Sequence, residues 1–359
     1  MKRVGHLFEK LVSDENLSLA IDEVNRTHRY FTNGRVNHCT RWVSRTREDR
    51  IRDLKEVLIG GFEPGPSRFM IRYDHSAEKH RCILEPKQWP DQYVHHALIQ
   101  VIEPVCMRGM DPWCCGSIRG RGTHYAKRAI ERWIREDPIG TRYVGEMDIR
   151  HFYDELSPDI VMDRFRHLIK DRRVLDLIWR IIRDGVKIGY YPSQWFANTV
   201  LQPLDVMIRQ SGLVKHYVRY MDNMTVMGSN KRKTRRVKLL IENWLNSHGL
   251  RLKGNWQFYA RRDRLPNAVG YRYGADYTLI RKRSLLKIKR GIAKYRKFAS
   301  SGKPITRRFA AGMLSRLGQL HHCNNVHIYR KLFMGDPIQR ELKDVVRASS
   351  ITHRHRSWK

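Results

Sequence analysis

The sequence predicts an α+β fold in which an antiparallel sheet carries the chemistry and helices make up most of the rest. Three observations predict it. His216-Tyr217-Val218-Arg219-Tyr220 and Met224-Thr225-Val226-Met227-Gly228 are short β-rich runs, and between them lies Asp222-Asn223, a pair that tolerates hairpin-turn geometry. A second β-rich run, Arg142-Tyr143-Val144-Gly145-Glu146-Met147-Asp148-Ile149, also finishes in an acid. Much of the remainder shows the apolar spacing of amphipathic helices. A hairpin tip bearing one acid is an ordinary surface turn. A second strand end with an acid makes the two together a candidate metal-holding pair.

Composition narrows the class. With 359 residues, 41% of them hydrophobic, and nine tryptophans, the chain has length for a real core, as one large domain or two to three subdomains. Lys+Arg number 70 against 36 Asp+Glu, a net charge of +34. So large a surplus repels itself unless a polyanion neutralises it, which makes nucleic acid the leading partner. No run of about 18 apolar residues is present to span a bilayer, and residues 1–10 lack the apolar core of a signal peptide. Cys39, Cys82, Cys106, Cys114, Cys115 and Cys323 form no CxxC pair and no zinc-like spacing with histidine. A reduced, cytoplasmic protein without a structural metal is expected.

Taken in order, the chain shows helical periodicity near 16–27 and 47–59, a Gly/Pro-punctuated turn over 60–66, a β-like run at 68–73 and then the stretch 81–86. A helix starts in 91–99, with His95-His96 on one of its faces. Residues 116–122 are a glycine-rich basic loop that opens a helix, a pattern in which the bare backbone and arginine forks suit phosphate. Ser157-Pro158-Asp159 is a helix start by residue type: a capping hydroxyl, proline at the first turn, an acid at the positive end. Residues 188–194 turn into a helix whose Phe196, Val200, Leu204 and Met207 form a buried face. Beyond the hairpin, Lys231, Arg232, Lys233, Arg235, Arg236 and Lys238 open a basic helix that runs through Trp244. Residues 268–273 form a strand-turn element, followed by helices at 284–300 and 306–320 and a basic tail, with no internal repeat or low-complexity linker.

As an ordered set, these pieces resemble a bacterial reverse transcriptase over roughly 80–275. The resemblance rests on Arg81 and the 117–122 loop, Asp148-Ile149-Arg150-His151-Phe152-Tyr153, the turn-helix 188–198, the Tyr-x-Asp hairpin, the Gly-Leu-Arg-Leu-Lys run 249–253, and the element at 269–273. The Ile-Gly-x-x-x-Ser-Gln form at 188–194 is similar to diversity-generating retroelement enzymes and some phage-defence reverse transcriptases. The resemblance implies a right-hand polymerase fold: an N-terminal helical or fingers extension over 1–80, fingers over 81–140, palm over 141–275, and a helical thumb with basic tail over 276–359.

The same resemblance implies the chemistry. Nucleotidyl transfer uses two Mg²⁺ ions about 4 Å apart, for which Mn²⁺ can substitute. Asp148 and Asp222 would bridge them, with Asn223 beside them and the Ile149 carbonyl completing one shell. Arg81, Arg119 and Arg121 would meet the triphosphate of a dNTP, Tyr153 would exclude a 2′-hydroxyl, and Gly189, Ser193 and Gln194 would line the new base pair. Val269, Gly270 and Tyr271 would be the primer grip, and Lys287, Lys289, Arg290 and Lys294 would bind nucleic acid. Three departures stand out. Asn223 replaces a second aspartate, Ile188 replaces the glutamine that usually contacts the nucleotide, and only Lys253 is available near the place of a possible general acid.

The expected activity is RNA-directed DNA synthesis, making cDNA from a dedicated noncoding RNA template, in antiphage defence or a diversity-generating retroelement. An accessory protein or oligomer is an expected partner and a membrane is not. No RNase H or endonuclease domain is expected after the grip. The alternatives are a catalytically weak or silent polymerase-like RNA-binding protein, an RNA-synthesising polymerase, and untemplated or protein-primed synthesis.

Overall fold

The computed structural model describes residues 2–28, 34–74, 79–333 and 338–356, so the end of the basic tail lies outside the described residues. The chain forms two compact units: residues 1–122 with 145–258, and residues 123–144 with 259–359. Among the described residues no helix is long and apolar enough to cross a membrane.

The first unit is built around the helix Tyr93–Met107. Its stretch from Tyr93 to Ile99 is buried on every side, which is the pattern of a central rather than a surface helix. The helices Asp14–His28 and Tyr191–Val200 pack on it. Strands β1 (Arg68–Asp74) and β2 (Lys79–Glu85) form an antiparallel hairpin with Arg72 opposite Arg81. Strands β3 (Tyr143–Asp148), β4 (His216–Tyr220), β5 (Asn223–Gly228) and β6 (Gln257–Ala260) form a sheet in the order β4-β5-β3-β6. Local sequence explains the element ends. Ser157 caps the helix Pro158–Arg166 by accepting from the Asp159 amide at 3.2 Å, and Asp171 and Asn230 do the same for the helices Arg172–Ile182 and Lys231–Ser247.

One local expectation shifts by a residue. Asn223 is not in the turn: it begins β5 opposite Tyr220, and the two-residue turn is Met221-Asp222. Met221 takes the left-handed conformation at φ 56°, an arrangement that costs an ordinary side chain about 1–2 kcal/mol and must be held by its surroundings.

The second unit has its own core. Strands β7 (Asn267–Ala268), β8 (Tyr271–Tyr273) and β9 (Thr278–Ile280) form an antiparallel sheet. The helices Lys282–Ser300, Arg307–Gly318 and Ile338–Arg356 bury Ile288, Ile292, Tyr295, Met313, Leu317 and Leu342 together. Gly291 lets two of them close up: a Cβ there would lie 2.1 Å from the Met313 sulfur.

Gly189 is the tightest backbone approach that bears on the site below. It has φ 115°, and a Cβ would sit 2.4 Å from the Leu84 carbonyl oxygen. Gly212, at φ 60°, has open space around it. Gly212→Ala is therefore expected to lower unfolding free energy by about 1–2 kcal/mol. Gly189→Ala adds a backbone clash and is expected to cost roughly 3 kcal/mol or more. Denaturant midpoints of the two variants check this, and equal losses would remove the docking argument.

Candidate active site

The order of the sheet creates the site. Because β3 lies beside β5, its C-terminal Asp148 arrives next to the turn between β4 and β5. The Ile149 amide donates to the Asp222 carbonyl at 3.3 Å and fixes that meeting through the main chain. On the other side, the Gly-Leu-Arg-Leu-Lys run pairs with the same segment. Lys253 N donates to Asp148 O and Arg150 N to Arg251 O, each at 2.8 Å, with Ile149 bridged to Leu252.

The two carboxylates reach hydrogen-bond contact with each other. Burial first, then the charge of Asp148 and the hydrogen bond to it, push Asp222 up to about 6. Asn223 opposes that shift by donating from Nδ2 to Asp222 Oδ1 at 3.0 Å. Lys253 Nζ lies 3.3 Å from Asp148 Oδ2. No group of three or more His, Cys, Asp or Glu that could hold a metal occurs among the described residues. What is present is two neighbouring carboxylates, with the Asn223 amide and the main chain of Ile149 beside them. That donor set fits a hard divalent cation, since Mg²⁺ is usually bound through one or two carboxylates and completes its shell from substrate phosphate and water.

Tyr153 lies near this pair. Its phenol is raised above the usual range mainly by burial, further by the Asp222 charge, and is opposed by Arg81, so the three side chains share one electrostatic environment. Arg81 stands on β2, and β2 is joined to the 188–194 turn by the Leu84 amide, which donates to the Ile188 carbonyl at 2.8 Å. In that turn Ser193 is buried and donates to the Lys187 carbonyl at 2.7 Å, while Gln194 is exposed. His95 and His96, consecutive on the central helix, stack on the consecutive Tyr190 and Tyr191 with ring centroids 4.9 and 4.1 Å apart.

The other expected residues have contacts and settings of their own. Arg119 is exposed and pairs with Glu23 at 3.2 Å. Arg121 donates to the carbonyls of Asp111 at 2.7 Å and Cys114 at 3.3 Å, and so braces its own loop. In the second unit, Val269 and Gly270, both at positive φ, form the two-residue turn between β7 and β8, and Tyr271 begins β8. On the helix Lys282–Ser300, Lys289, Arg290 and Lys294 are exposed and Lys287 is half-buried. The sequence reading missed Arg219, whose guanidinium is fully buried behind the turn. An arginine inside a short strand next to the hairpin acid was the available signal.

Residues 74–256 match the family described as reverse transcriptase (RNA-dependent DNA polymerase). The protein YkfC of Escherichia coli K12 is 25% identical over 141 residues, covering 38% of this chain and 36% of YkfC. Nuclear intron maturase 1, mitochondrial, of Arabidopsis thaliana is 30% identical over 105 residues, covering 29% of this chain and 14% of the maturase. The chain thus spans little more than a third of the one relative and about a seventh of the other. Among solved structures, a Candida albicans telomerase in complex with a fragment of telomeric RNA aligns with TM-score 0.48 and 12% identity, over 65% of this chain and 51% of that one.

The raised Asp222 sets a pH signature for the metal-free protein. A carboxyl that titrates near 6 when folded, against its ordinary 3.8, binds its proton more tightly folded than unfolded. Its contribution therefore favours folding below about pH 4 and is lost as pH rises to about 6. Asp222→Asn is expected to gain melting temperature relative to the parent across that window, measured in a chelator. A constant difference between the two proteins from pH 4 to 7 would contradict the shared-proton site.

Proposed function

Because the chain belongs to the reverse transcriptase (RNA-dependent DNA polymerase) family and has that family's right-hand polymerase fold, we propose that it is an active RNA-directed DNA polymerase working at Asp148 and Asp222. The observation that carries this reading is the contact of those two carboxylates, fixed by the Ile149–Asp222 main-chain bond. Asp148, Asp222 and the Ile149 carbonyl would hold two Mg²⁺ ions, or Mn²⁺ in their place. Bound there, the ions supply activation of the primer 3′-oxygen and neutralisation of the triphosphate.

The chain's own residues do the rest. Tyr153, held beside Asp222, fills the space that a ribose 2′-hydroxyl would need. Arg81, whose charge acts on Tyr153, meets the triphosphate, with Arg119 and Arg121 assigned to its approach. Gly189, Ser193 and Gln194 line the new base pair on a turn anchored to β2. Val269, Gly270 and Tyr271 grip the primer, and Lys287, Lys289, Arg290 and Lys294 contact the nucleic-acid backbone. Lys253 pairs with Asp148, and it is the lysine available to serve as a general acid. In this reading 1–80 is a fingers extension, 81–140 the fingers, 141–275 the palm and 276–359 the thumb.

The template is a dedicated noncoding RNA and the product its cDNA, a partner class to which a net charge of +34 is suited. The Ile-Gly-x-x-x-Ser-Gln turn supports a place in antiphage defence or a diversity-generating retroelement, acting in the cytoplasm with an accessory protein or as an oligomer. Asn223 favours one competing reading, an RNA-binding protein with weak or no catalysis. Primer extension with the purified protein separates the two.

Removing either carboxylate, by Asp148→Ala or Asp222→Ala, is expected to reduce dNTP incorporation by about 10³-fold or more. Asn223→Asp is expected to raise it. Retained RNA binding with no incorporation in Mg²⁺ or Mn²⁺ would establish the silent alternative. Tyr153→Ala is expected to admit rNTPs; unchanged rejection of rNTPs would remove that residue from the sugar-selecting role.

A further inference from the structure

Behind the hairpin turn lies a charged network that none of the roles above uses. Arg219 on β4 and Asp205 on the helix Gln202–Gln210 are both fully buried. Arg219 Nε and Nη2 donate to the two Asp205 oxygens at 2.8 and 2.6 Å, a bidentate fork. The Tyr217 hydroxyl donates to Asp205 Oδ1 at 2.6 Å. Nη1 of Arg219 turns the other way, to Asn198 Oδ1 at 2.9 Å and the Met221 carbonyl at 3.1 Å.

The main chain is tied in as well. Arg219 N donates to the Trp113 carbonyl at 3.0 Å, and Arg219 O accepts from Cys115 N at 2.8 Å. Asn198 Nδ2 donates to the Gly116 carbonyl at 2.8 Å. Gly116 is bare where Met221 lies on it: a Cβ there would be 2.6 Å from the Met221 sulfur and 2.7 Å from its amide nitrogen.

A buried ion pair adds little net stability over apolar residues of the same volume, so folding alone does not account for this one. The one place where it touches the site is informative. Met221 holds the left-handed conformation immediately before Asp222, and its carbonyl belongs to the peptide that joins them. Fixing that oxygen fixes the peptide plane, and with it the direction in which Asp222 leaves the turn.

We propose that Arg219, oriented by Asp205, is a positioning residue that aims Asp222 at Asp148 by holding the Met221 carbonyl. This rests on the reading of Asp148 and Asp222 as metal-holding groups. Arg219→Lys keeps the charge and loses the divided reach of the guanidinium. Asp205→Leu/Tyr217→Phe/Arg219→Met replaces the charged pair and its phenol with apolar groups, leaves no buried charge unpaired and leaves Asn198 Oδ1 the Cys114 thiol as a donor at 3.6 Å, so it is the variant expected to fold even if Arg219→Lys does not.

The test is Mn²⁺ affinity of the nucleotide-free protein by electron paramagnetic resonance, together with the metal dependence of primer extension and a melting curve. Both variants are expected to bind Mn²⁺ about 10-fold or more weakly, the usual effect of removing an outer partner of a metal ligand. The half-saturating metal concentration should rise in parallel while KM for primer–template stays unchanged. Wild-type Mn²⁺ affinity in a folded apolar variant would overturn the role of Arg219 and leave the polymerase reading intact. A wild type that binds Mn²⁺ in an Arg219-dependent way but incorporates no nucleotide would overturn the polymerase reading alone. A wild type that binds no Mn²⁺ overturns both.

Discussion

The bond from Ile149 N to Asp222 O is the constraint on which the site depends. Left to electrostatics, two carboxylates in poorly solvated surroundings would separate. The sheet prevents it, because the end of β3 is paired on one flank with the hairpin turn and on the other with residues 251–253. Backbone pairing has no side-chain charge to weaken it, so it can hold together groups that repel. Burial and then the charge of Asp148 raise the pKa of Asp222, and Lys253 pairs with Asp148. A divalent cation would offset both charges.

The same logic of rigid support extends outward through aromatic and backbone contacts. The central helix carries two histidines in its first turn, each with its ring against a tyrosine. Burial first, then the neighbouring His96 and Lys187, hold His95 neutral, with its pKa pushed down to about 3. Its ring tilts against Tyr190 while His96 stacks flat on Tyr191. The turn that follows Lys187 is therefore clamped between the core helix and β2, and Gly189 closes the gap to β2 without a side chain. Function-bearing turns in this unit are short and held on both sides.

How much of this was legible in the sequence follows from the range of the forces involved. Local signals were readable. The helix at 47–59, the Ser157 cap, the strand ending at Asp148 and the two strands of the hairpin all rest on spacing, capping or β-propensity over a few residues. The turn was read one residue late because Asp and Asn are the usual occupants of such bends. Here a methionine takes the unfavourable conformation because Gly116 and Arg219 hold it. The helix Arg172–Ile182 is amphipathic in its own sequence and buries Val174, Leu177, Ile178, Ile181 and Ile182. Arg219 is only half legible: its place inside a short strand next to the hairpin acid is visible in the sequence, but its partner Asp205 sits on another element, so the buried pair is not. The division into units was equally hidden, since residues 123–144 leave the first unit and join one whose other members lie beyond residue 258.

The joint between β2 and the 188–194 turn has a further consequence. It is made by the carbonyl of residue 188 and by the missing Cβ of residue 189, so the side chain at 188 takes no part in it. The hydrogen bond that joins the turn to β2 is therefore made whatever side chain stands at 188. Under the proposed polymerase activity, copying accuracy, to the extent that this side chain sets it, becomes a dial that evolution can turn without touching that joint, and the isoleucine found here is one of its settings.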